Sequence, residues 1–106
     1  MKAAQGLFTA RISDDGMPRV IHVAGDLDIA SRAKLRTICL QGDRGSVVVD
    51  IGELTFMDCA GYGALMAVRS VLTQRGESLS PTNASGEPAM LLRLLDRLQG
   101  RTIVRP

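Results

Sequence analysis

The chain is expected to fold as an α/β domain with a mixed, mostly parallel sheet packed with helices. Three observations predict this. Two alternating apolar runs near the N-terminus are joined by an Asp-Gly turn, Val47-Val48-Val49-Asp50-Ile51 is a continuous β-branched run, and the segments after each later strand carry helical spacing. Strands that alternate with helices build parallel sheets, because each crossover returns the chain across the sheet.

Leu7 to Ile12 alternates with Phe8, Ala10 and Ile12 on one side, and Arg19 to Gly25 alternates with Ile21 and Val23 on one side. With Asp14-Asp15-Gly16 between them, the pair reads as a β-hairpin. Ala30 to Gln41 reads as a helix with Leu35, Ile38 and Cys39 on one face, stopped by Gly42. Val47 to Ile51 is expected as a central strand covered on both faces. Asp58 to Arg75 is the strongest helix, its stripe being Ala64, Leu65, Val68, Val71 and Leu72, with a basic last turn and Gly76 as its stop. Ser78 to Thr82 is a weak strand that Pro81 confines to an edge. Such an edge would let a second copy pair, so a homodimer is one expectation. Pro88 opens a helix to Leu98 with Leu91, Leu94, Leu95 and Leu98 on one face, Gly100 ends it, and Thr102-Ile103-Val104 is a short last strand. The order is β-β-α-β-α-β-α-(β), in a single domain over residues 1–106.

With 45% apolar and 23% charged residues, the chain is globular rather than disordered. A net charge of +2, with Phe8, Phe56 and Tyr62 as its aromatics, supplies neither a phosphate-binding footprint nor a stacking platform, so nucleic acid is not an expected partner. Cys39 and Cys59 form no disulfide framework and fit a reducing cytosol. No signal peptide and no run of about 20 apolar residues is seen, so membrane insertion is not expected. A single histidine, His22, leaves no His-rich metal site, and no cofactor motif is found.

The most informative stretch is Leu54 to Leu65, where a strand turns into a helix at Asp58. A helix start presents free N–H groups and the positive end of the dipole, and so suits an anion or a partner's carboxylate. Asp58 reads as an N-cap, a role compatible with binding. Gly61 and Gly63 each cost about 1 kcal/mol in a helix against alanine, which calls for close packing or close approach by a partner. Cys59 is either a packed small residue or a thiol activated by the helix start. Asp26 and Asp28 either end a strand and cap the next helix or form a carboxylate pair for acid–base or metal chemistry. His22 reads as a strand histidine, with no activated nucleophile or oxyanion motif beside it. Nothing here reads as an enzyme.

Gly25-Asp26-Leu27-Asp28-Ile29-Ala30-Ser31 resembles the glycine-acid-leucine-aspartate stretch of STAS domains. Val47 to Ile51, continued through Phe56-Met57-Asp58-Cys59-Ala60-Gly61-Tyr62-Gly63-Ala64-Leu65, is similar to the central signature of that family. The resemblance implies a STAS fold and, for a chain of this size, a bacterial anti-sigma factor antagonist. It implies a cytoplasmic, partner-switching protein in transcription regulation that binds an anti-sigma factor of the serine-kinase type. The family's phosphorylated hydroxyl falls on Ala60, which has no oxygen to accept phosphate. Thr55, Ser31 and Ser70 are the remaining candidate hydroxyls. The expected partner surface comprises Asp26, Asp28, Ser31, Met57, Asp58, Cys59, Ala60, Gly61 and Tyr62. The alternatives are an accessory STAS subunit docking on the ATPase of an ABC-type lipid transporter, and a redox sensor acting through Cys59.

Overall fold

The computed structural model describes residues 7–13, 18–41 and 45–98. Its elements are β1 (Thr9–Ser13), β2 (Arg19–Leu27), α1 (Arg32–Leu40), β3 (Val47–Met57), α2 (Cys59–Gln74), β4 (Leu79–Thr82) and α3 (Gly86–Leu98). The strands lie in chain order in one sheet, with β1 antiparallel to β2 and the pairs β2–β3 and β3–β4 parallel. Residues 14–17, the stops at Gly42 and Gly100, and the expected strand at Thr102-Ile103-Val104 lie outside the described residues.

One face of the sheet makes the core. Ile21 and Val23 of β2, Val47, Val49 and Ile51 of β3, and Leu79 of β4 join Leu35 and Cys39 of α1, Leu65, Val68 and Leu72 of α2, and Leu92 of α3 in a single buried cluster. All three helices therefore serve the same face. This corrects the expectation that β3 is covered on both sides. Its burial alternates over Val47–Ile51, and Val48 and Asp50 are only half-buried, as are Val20 and His22 beside them on β2. There the strand register sets Arg11, His22, Asp50 and Thr82 in one row across the four strands.

The sequence reading follows the alternation of β2 to Gly25, with the strand ending in Gly25-Asp26-Leu27-Asp28, and ends β3 at Ile51; β2 runs to Leu27, and β3 continues well beyond Ile51, to Met57. The alternation fails where register shifts fall between His22 and Ala24 and between Gly25 and Asp26. Gly25 takes φ +90° there, a conformation that glycine accepts without strain. Beyond Ile51 the buried residues of β3 are Leu54 and Met57, three apart, so a two-residue period cannot be read from them.

Two guanidinium hydrogen bonds tie α1 down at its far end. Arg19 of β2 donates to the carbonyls of Cys39 (3.0 Å) and Gln41 (2.8 Å), and so meets the negative end of the helix dipole with a cation. α3 is rotated from the face its leucines suggest. Pro88, Ala89, Leu92 and Asp96 are its buried residues, Leu91 and Leu95 are half-buried, and Leu94 and Leu98 are exposed.

Candidate functional site

The site grows from the carboxyl ends of β2 and β3, neighbouring parallel strands that deliver the β2–α1 loop and the β3–α2 turn to one edge of the sheet. Binding sites of α/β folds gather at that edge. In the loop, Asp28 Oδ1 accepts the N–H groups of Ala30 (3.0 Å) and Ser31 (3.3 Å), a local turn that an aspartate favours. Ser31 Oγ donates to the Asp26 carbonyl at 2.8 Å and accepts the Asp28 N–H at 3.0 Å. Ser31 is thus the knot of the loop rather than a side-chain cap of α1. Ile29 is left at the loop's tip, 63% exposed.

In the turn, Asp58 is extended and its Oδ1 accepts the Gly61 N–H at 2.9 Å, the N-cap expected of it. The Asp58 N–H reaches the Leu27 carbonyl at 3.4 Å, and Leu27 pairs with Met57 in the sheet. Gly61 packs directly over that same Leu27 carbonyl, and any Cβ there would overlap it. A glycine is therefore required at 61 by close packing. Gly63 differs, since a Cβ there would meet nothing within 4 Å. Loop and turn are in this way stitched into one ledge, with Ile29, Ala30 and Cys59 exposed on it and Asp28, Asp58 and Ala60 partly so.

Five of the nine residues expected at a partner surface are below it. Asp26, Ser31, Met57, Gly61 and Tyr62 are buried and can only shape the ledge from beneath. Tyr62 is the clearest correction, because its ring is in the core and its hydroxyl donates to Asp96 Oδ1 at 3.0 Å. A buried phenol takes a partner whenever one is within reach, and here α3 supplies it. Asp96 was not legible as a site residue, being one carboxylate in a leucine-rich helix. Asp26, too, has a role inside the fold, as its Oδ1 accepts from the Thr55 hydroxyl at 3.2 Å. Of the alternative hydroxyls, Ser31 is buried and engaged, Thr55 is exposed but bonded to Asp26, and Ser70 is exposed on α2.

The two cysteines differ sharply. Cys59 is exposed at the first position of α2, whereas Cys39 is fully buried and burial pushes its thiol up to about 12, against a smaller opposing effect of Arg19. On the other face of the sheet, His22 Nδ1 lies 3.2 Å from Asp50 Oδ2. The Gly52 N–H above all, with help from Asn83 and His22, holds the Asp50 carboxyl below its ordinary range. Among the described residues no three His, Cys, Asp or Glu side chains gather as a metal site requires, and no helix is long and apolar enough to cross a membrane.

Residues 10–102 match the family model described as "Mlab, STAS domain". The chain belongs to the STAS-domain family. No curated protein matches the sequence. Among solved structures, this STAS domain is similar to an antisigma-factor antagonist from Rhodobacter sphaeroides, with 22% identity and a TM-score of 0.56 over 78% of this chain and 90% of that one. It is similar to the phosphorylated form of the Bacillus cell fate determinant SpoIIAA, with 25% identity and a TM-score of 0.62 over 87% and 84% of the two chains. It is also similar to part of the murine anion transporter Slc26a9, with 18% identity and a TM-score of 0.64 over 96% of this chain but 20% of that one. The likenesses at 22% and 18% identity are likenesses of fold.

Proposed function

We propose that this STAS domain is a cytoplasmic, non-catalytic interaction module of the anti-sigma factor antagonist type, which binds a kinase-type anti-sigma factor through the ledge. The observation that carries the reading is the joining of the β2–α1 loop to the β3–α2 turn through the Leu27 carbonyl. A surface already held in one conformation loses little entropy on docking. The side chains presented there, Ile29, Ala30, Cys59 and Ala60, are small or apolar, flanked by carboxylates already bonded to backbone N–H groups. Such a surface suits a protein partner better than a substrate.

At the position the resemblance assigns to the phospho-acceptor stands Ala60, partly exposed in the first turn of α2, two residues after the cap. A phosphate carries about −1.5 to −2 charges at neutral pH and would remake this surface. Without a hydroxyl the ledge stays in its binding state. That absence also favours a second reading, an accessory subunit on the ATPase of an ABC-type lipid transporter, where no phosphate switch is needed. Cross-linked capture of the tagged chain from its host, with mass spectrometry, separates the two. Enrichment of an anti-sigma kinase supports the first reading, enrichment of an ABC-type ATPase supports the second, and enrichment of neither contradicts both.

A further inference from the structure

Below the ledge, an open groove of about 490 Å³ runs between α1 and α2. Its α2 wall is Ala60, Gly63, Ala64 and Ala67, and its α1 rim carries Arg32 and Arg36. The α2 residues recur at helical spacing, so the backbone of α2 is bare of large side chains along about two turns. Gly63 lies in open space, and its side is therefore not kept small by packing within the chain. This is what separates it from Gly61, whose smallness the fold itself demands.

The charges around the groove have one sign. α1 carries Arg32, Lys34 and Arg36, α2 carries Arg69, and neither helix holds a carboxylate. Arg32 and Arg36 are exposed, and neither makes an ion pair or hydrogen bond within the described residues. The nearest acids of the site, Asp28 and Asp58, sit at the upper end and accept backbone N–H groups. No polar group lines the groove between its two helices besides the guanidinium heads. A small-molecule site would need several polar groups placed at depth to orient its ligand. A second copy of this chain is a poorer occupant, since α1 and α2 are free of acids, and the exposed side of α3, apolar at Met90, Leu94 and Leu98, sets one carboxylate, Glu87, against the cations Arg93 and Arg97.

We propose that this groove receives an amphipathic helix of the partner protein, apolar on the side that meets Ala60, Gly63, Ala64 and Ala67 and acidic where it passes Arg32 and Arg36. The inference rests on the interaction-module reading and names the chemistry of what docks. The small residues let two helices approach closely, and the arginine forks take carboxylates two-pronged. Helix-in-groove docking reads its apolar anchors at positions three and four apart, the same spacing the α2 wall presents.

The probe is a set of three synthetic helical peptides of 18 residues with one Leu/Ala face and an outer face of Glu, Gln or Lys. They are titrated to millimolar concentration against the isotope-labelled chain and followed by NMR. Expected are shifts at the amides of Ala60, Gly63, Ala64 and Ala67 with the Glu peptide, at least tenfold tighter binding than for the Lys peptide, and loss on Gly63→Leu. The charge-reversed variant R32E/R36E is expected to prefer the Lys peptide. Shifts confined to the open sheet face or to α3, equal affinity for all three peptides, or no shift would overturn the proposal. So would a preference for vesicles of anionic phosphatidylglycerol over every peptide. Because captured host proteins are not used, failure here leaves the ledge and its partner standing. Conversely, loss of host capture on altering the ledge alone, with the Glu peptide still bound, would bear on the partner and not on the groove.

Discussion

Tyr62 shows how one hydrogen bond can reassign a residue. It shares a helical turn with the exposed Cys59 and Gly63, yet its ring is buried and its hydroxyl meets Asp96. Tyr62→Phe is expected to cost about 1–3 kcal/mol, since the Asp96 carboxylate loses a buried donor; a denaturant midpoint unchanged within error would count against that bond. Asp58→Ala is expected to cost about 1 kcal/mol through the lost N-cap, read from the same kind of titration. Cys59 is expected to react with a thiol reagent in the native protein at pH 7, while Cys39 stays protected until unfolding, by its burial and by a thiol raised to about 12. Labelling of both at equal rates would show that α1 opens. Asp50 sets a pH dependence. Its folded carboxyl is held below its ordinary range, so the stability it contributes is complete above the unfolded value of about 4. That contribution is lost as pH falls through the folded value. Asp50→Asn should flatten the acid limb of a plot of unfolding free energy against pH, and an unaltered limb would remove Asp50 from that role.

At the scale of elements, α3 tests how far helical spacing can be trusted. Leu91, Leu92, Leu94, Leu95 and Leu98 supply apolar residues to more than one face, so periodicity alone cannot choose the buried one. The choice is made by partners far along the chain, with Leu92 joining the core and Asp96 meeting Tyr62. Leu92→Ala should therefore cost about 2–5 kcal/mol. Leu94→Ala, on a side chain 51% exposed, should stay within about 0.5 kcal/mol. Comparable losses at both positions would mean that α3 is rotated toward the leucine face after all. The other elements were easier to read because their signals are local. The hairpin's alternation, the Asp58 cap and the stripe Leu65, Val68 and Leu72 all survive in the fold. What escaped reading was the long tail of β3 and the bulged end of β2, where register shifts erase the two-residue period.

Over the whole molecule, one sheet face packs all three helices, and the ledge forms where two neighbouring parallel strands end. The position of that ledge could be read from the sequence, because the order of strands and helices determines which loops share an edge. Its composition could not, because whether Ser31 or Tyr62 points outward depends on contacts between residues distant in sequence. The central proposal is that this ledge docks a protein partner and, lacking a hydroxyl at Ala60, does so without a phosphate switch. The most direct measurement is quantitative capture of host proteins by the wild-type chain and by Ala60→Glu, each verified as folded by its thermal midpoint, with and without ATP. The expected result is a partner held by the wild-type chain equally in both conditions and lost on Ala60→Glu. Retention of that partner by the folded Ala60→Glu chain, or its release from the wild-type chain in ATP, would contradict the proposal.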